Sequence, residues 1–69
     1  MNKRTIKFVE RRLLKAMMDD EKELRMLLDT ETDGVPDQQL DGLMVKIEQF
    51  LGRIMVNQFK LMLLQDMEE

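Results

Sequence analysis

From Gln38 to Met67 the apolar positions recur at helical spacing, but not on one face. Wound at about 100° per residue, they separate into two seams. The first carries Leu40, Leu43, Met44, Ile47, Phe50, Leu51, Ile54, Met55, Leu61 and Met62. The second lies on roughly the opposite side and carries Val45, Gly52, Val56, Phe59, Leu63 and Met67. A helix with two apolar seams has to bury both. The chain offers one other long helix, enough to cover one of them.

That helix is predicted over residues 3–28, where Ile6, Val9, Leu13, Ala16, Met17, Leu24 and Leu27 share one sector. Asp20 falls inside the sector, so either the helix rotates slightly or Asp20 needs a partner. Asn2 and Thr5 are the candidates for capping its start. An acidic loop over 29–35 follows, in which Gly34 can take the positive φ of a chain reversal. Pro36 suits the first turn of a second helix over 36–67, with Asp37 and Asp41 at its positive end. Val35 and Leu40 are placed to form a hydrophobic staple across that start. Within the second helix Gly52 lies on the second seam, where the missing side chain lets another backbone approach.

Two features disturb the first seam. Gln58 and Gln65 fall in its middle, so either buried amides need hydrogen-bond partners or the seam rotates near Met55. Charge favours an antiparallel arrangement of the two helices. Lys3, Arg4, Lys7, Arg11, Arg12 and Lys15 at the start would lie beside Asp66, Glu68 and Glu69 at the end. Such surface pairs set register more than stability.

Composition narrows the routes to stability and the chemistry. Sixty-nine residues make one domain, near the lower size limit for a single core. Cysteine and histidine are both absent, which removes disulfides, thiolate metal sites and the commonest general base. Association with another chain is the remaining route. Serine is also absent, and Thr5, Thr30 and Thr32 have no histidine to activate them. Carboxylates alone would need a water-shielded cleft, which a two-helix chain does not offer. No catalytic residue and no cofactor are expected. The N-terminus has no apolar run of signal-peptide length and no window suits a membrane span, so a cytoplasmic chain without a membrane partner is expected.

Two further constellations carry possible chemistry. Asp29, Glu31 and Asp33 followed by Gly34 resemble the first half of an EF-hand loop. Pro36 stands at the eighth position and Leu40 at the twelfth, where a bidentate Glu belongs, so a metal is a weak alternative. On the first helix Arg4, Lys7, Arg11, Lys15, Lys22 and Arg25 form a one-sign stripe opposite the apolar sector. Such a row could track a phosphate backbone, although no aromatic residue interleaves and the net charge is −3.

The expected fold is therefore all-α: an antiparallel two-helix hairpin in one domain over 1–69, homodimerising into a four-helix bundle. That architecture is an analogy of fold and carries no function. The expected function is a small non-catalytic protein-binding regulator or assembly adaptor. Its partners would be a second copy and another protein, with the second seam, Val45, Gly52, Val56, Phe59, Leu63 and Met67, as the interface. The methionine-rich apolar surface favours this class, since Met packs adaptably. The alternatives are a nucleic-acid-binding dimer using the cationic stripe and a structural assembly subunit.

Overall fold

Two helices account for almost the whole chain: α1 over Lys3–Leu28 and α2 over Asp37–Met67. A computed structural model describes residues 2–68. Among these there is no strand. The helices fold back on each other as a hairpin 54 Å long and only 15 × 11 Å across.

Local chemistry explains the ends. The Asn2 side-chain oxygen accepts hydrogen bonds from the backbone N–H groups of Arg4 (2.9 Å) and Thr5 (3.2 Å), capping α1. At the other end the Asp29 N–H donates to the Arg25 carbonyl (3.0 Å) and the Thr30 N–H to that of Leu27 (3.2 Å). The reversal follows through Gly34 at φ 79°, a conformation that costs a side chain and suits glycine. Pro36 caps α2 in extended conformation (φ −60°, ψ 146°) instead of opening its first turn. It supplies no side-chain acceptor, so Asp37 in the first turn is what answers the positive helix end.

The helix–helix seam has a strict 3–4 spacing. On α2 the half-buried positions are Leu40, Leu43, Ile47, Phe50, Ile54, Asn57, Leu61 and Leu64, continued by Glu68 beyond the helix. On α1 Ile6, Glu10, Leu13, Met17, Asp20, Leu24 and Leu27 answer them, with Val9 and Ala16 alongside. A repeat of 3.5 residues is the pattern of helices that supercoil about each other.

This period corrects the reading of α2 at 3.6 residues per turn. An ideal straight helix drifts about 20° per heptad from the seam of a supercoiled pair. Gln58 and Gln65 are exposed, and Asn57 and Leu64 take the places facing α1. Met44, Leu51, Met55 and Met62, which the straight-helix winding puts on the first seam, are likewise left outside.

The hairpin alone buries little. Among the described residues Ile6 is the single buried residue, at 3% exposure. A folded monomer of 8.3 kDa exposes roughly 4,600 Å² by the usual size scaling, whereas this chain exposes 5910 Å². The apolar seam between two helices is only one side chain deep.

Polar residues inside the seam show how the register is held. Asp20 receives Arg53 Nη2 at 3.1 Å from across the hairpin, the partner that its place in the apolar sector calls for. At the open end Lys7 Nζ lies 2.9 Å from Glu68 Oε1, joining the basic start to the acidic tail. Glu69 lies outside the described residues, and Asp66 faces outward.

Candidate functional site

Once one side of α2 faces α1, the side diametrically opposite is fixed by the heptad. Val45, Gly52 and Phe59, spaced by sevens, point directly away from α1. Met55 and Met62 flank them on one side, Val56 and Leu63 on the other. Phe59 is 60% exposed and Met55 67%, and Val45, Val56, Met62, Leu63 and Met67 are exposed as well. From Leu51 to Gln65 the only charges on α2 are Arg53 and Lys60, at its flank, and Arg53 is turned towards Asp20. The outward face of this segment is uncharged.

At the middle of the face the surface dips. A groove of about 450 Å³ runs over Gly52, bordered by Glu48, Gln49, Arg53, Val56 and Lys60. A Cβ added at Gly52 would meet nothing within 4 Å, so the notch is open space. All six residues of the second seam, Val45, Gly52, Val56, Phe59, Leu63 and Met67, are exposed on the hairpin.

A second apolar groove, about 300 Å³, lies at the loop end between the helices. Leu27, Leu28, Leu40, Leu43, Met44 and Ile47 line it together with Thr30 and Thr32. A third, lined by Val9, Leu13, Lys60, Leu63, Leu64 and Met67, lies towards the open end.

The cationic stripe is exposed along the outside of α1, but half of it is engaged. Lys7 pairs with Glu68, Lys15 with Asp19 (3.2 Å) and Arg25 with Glu21 (2.6 Å). Arg4, Arg11 and Lys22 have no acidic partner among the described residues. The hydrogen bond from Lys7 to Glu68 is the main reason the lysine pKa is raised, with Glu10 adding to it. The same bond holds the Glu68 carboxyl below its ordinary value.

One residue revises the reading of this face. Phe8 is 56% exposed and lines one groove with Lys3, Arg4, Lys7 and Arg11, so an aromatic ring does stand among these cations. The Arg12 guanidinium lies 5.2 Å from its ring centre. The helical offset of four between Phe8 and Arg12, and between Arg4 and Phe8, was the signal in the sequence.

In the loop the Glu31 carboxylate accepts the Asp33 N–H at 3.2 Å. Among the described residues no group of three or more acidic side chains is placed to hold a metal ion. No helix is long and apolar enough to cross a membrane among the described residues. No protein-family model, curated protein or solved structure matches the chain.

Proposed function

We propose that the protein is a small, non-catalytic, cytoplasmic protein-binding regulator or assembly adaptor that acts as a helical homodimer. The observation carrying this reading is the uncharged outward face of α2 around Met55, Val56, Phe59, Met62 and Leu63. A hairpin with one buried residue gains its stability by covering such a face. Two hairpins joined through it set four helices side by side, both α2 helices inside and both α1 helices outside. Because the face points directly away from α1, this is a layer and not four helices around one shared core. The groove at the loop end between Leu28 and Met44 then stays open and suits an apolar segment of another protein.

Light scattering at micromolar concentration tests the assembly: a dimer is expected. Phe59→Glu should dissociate it and unfold much of the chain, because loss of a large buried aromatic typically costs about 3–5 kcal/mol. A well-folded monomer at all concentrations would sink the reading.

A nucleic-acid-binding dimer is the second reading, supported by Phe8 standing among Lys3, Arg4, Lys7 and Arg11. Against it stand the net charge of −3 and the acidic partners of Lys7, Lys15 and Arg25.

A further inference from the structure

We infer that the second copy packs antiparallel, α2 against α2, with Phe59 of each chain seated over Gly52 of the other. The inference rests on the homodimer reading above and specifies its geometry. Gly52 and Phe59 are seven residues apart, about 10.5 Å along the helix, and both point directly away from α1. One is an open notch in the face and the other its largest projection. A two-fold axis midway between them, at Met55 and Val56, brings each knob onto the notch of the other chain in one step. This is the self-complementarity that an isologous interface requires.

A parallel pairing in register does not use these features. It would set Phe59 against Phe59 and Gly52 against Gly52, crowding one level and leaving the other empty. Packing without voids is worth enough to decide between the two.

The ends agree with the centre. Under the same two-fold axis Asp66 of one copy comes level with Val45 of the other, and Lys46, one residue further along, is the cation nearest to that carboxylate, twice per dimer. Between these ends Glu48, at the border of the notch, is the one charge on the outward face, and from Leu51 to Gln65 that face presents none to be stranded. The area agrees as well. The chain exposes roughly 1,300 Å² more than a monomer of its mass should, and a standard interface removes about 800 Å² from each partner. One contact of ordinary size therefore accounts for most of the excess.

The absence of cysteine makes the test simple, since a single introduced thiol is unambiguous. Val56→Cys lies beside the proposed axis, so two copies should be joined by a short bismaleimide. Val45→Cys should not be joined to itself, because the two thiols would lie about 30 Å apart at 1.5 Å per residue. Gly52→Leu fills the notch and should weaken association at least tenfold by dilution light scattering. On an exposed helix position the same change adds a good helix former and an apolar side chain, which would favour both helicity and general stickiness.

Efficient joining through Val45→Cys in a dimer, or a Gly52→Leu dimer as tight as the original, would overturn the antiparallel arrangement while leaving a homodimer standing. A monomeric wild-type chain would overturn both. Joining through Val56→Cys alone, together with dissociation by Gly52→Leu, supports the knob-and-notch interface.

Discussion

Arg53 of α2 ties itself to Asp20 of α1 across 33 residues of sequence, with Nη2 3.1 Å from Oδ1. The same guanidinium lies 4.5 Å from the centre of the Phe50 ring one turn earlier on its own helix. Asp20 sits in the apolar seam with its side chain only 17% exposed, whereas Arg53 remains largely in water. The carboxylate thus gives up much of its solvation, and the arginine restores a charge partner.

Removing the arginine should therefore cost more than an ordinary surface change. For Arg53→Ala we expect a loss of about 1–2 kcal/mol, the lower part of the range for a shielded charged group left without its partner. For a domain of this size that is a fall in Tm of about 4–8 °C per kcal/mol. The companion change Asp20→Leu should restore stability in the Arg53→Ala background, since an apolar side chain fits the seam better than a lone carboxylate. Thermal melts of the single and double variants check both statements. A double variant no more stable than Arg53→Ala would contradict the account.

Glu10 occupies a seam position of α1 beside the Glu68 carboxyl, and its Oε1 is shielded with no donor within hydrogen-bond geometry among the described residues. Replacing it with leucine removes that cost and extends the apolar contact towards Leu61 and Leu64. Glu10→Leu should raise Tm, with an upper bound set by the about 1–3 kcal/mol that an unsatisfied shielded group costs. Some of the gain is offset because Glu10 also attracts Lys7. A lower Tm would mean that the attraction outweighs the shielding.

The Lys7–Glu68 pair gives a dependence on pH with a definite sign. The raised lysine contributes stability at pH below its unfolded pKa, and loses it as pH climbs through the folded value. The lowered glutamate contributes above its unfolded pKa, and loses it as pH falls through the folded value. The pair therefore helps at neutral pH and fades in the carboxylate range. Lys7→Gln should melt slightly below wild type at pH 7, with the gap closing on acidification. Because both groups are exposed, the gap should also close in about 1 M salt, where charges are screened within roughly 3 Å. A gap unchanged by acid and salt would mean that Lys7 acts through packing and not charge.

How much of this was legible in the sequence depends on which forces set each feature. The two helices, the glycine reversal and the need of Asp20 for a partner follow from local spacing and chemistry. The identity of that partner does not, because Arg53 reaches Asp20 only in one register of the hairpin. The misplacement of Gln58 and Gln65 has a cumulative cause. Winding at 3.6 agrees with the supercoil over the first two heptads of α2 and slips by about 20° with each one. The outward face at Val45, Gly52 and Phe59 was readable because a whole seam stood opposite the first. Met55 and Met62 join its border for the same reason that the glutamines leave the seam.

Calcium should leave the protein unchanged. Glu31 is already committed to the Asp33 amide, and Leu40 stands where a bidentate carboxylate would complete the loop. Millimolar calcium is expected to shift neither Tm nor helicity by circular dichroism. A calorimetric Kd near about 10⁻⁶ M, in the range of sensor loops, would show that the acidic reversal is a site after all.

The cationic stripe decides between the two functional readings. If Arg4, Lys7, Arg11, Lys15, Lys22 and Arg25 bind nucleic acid, affinity must fall with salt by about 0.9 log units per duplex phosphate neutralised. With Lys7, Lys15 and Arg25 engaged by acids, Arg4, Arg11 and Lys22 are left to lead the contact. Three cations on each of two chains give a slope of about −5, and Arg11→Gln with Lys22→Gln should flatten it by about 3–4. Both residues face away from the seam, so the variant should keep its helicity and its assembly. On the protein-binding reading neither random duplex nor single strand is retained at about 0.1 M salt, where charges beyond roughly 10 Å are screened. Phe8 sharpens the comparison, because stacking on an exposed ring adds affinity for single strands but little for duplex. Gel shifts with random single-stranded and duplex DNA at that salt give the answer. We expect no shift; a salt-steep shift lost in the double glutamine variant would assign α1 to nucleic acid and leave α2 to hold the dimer.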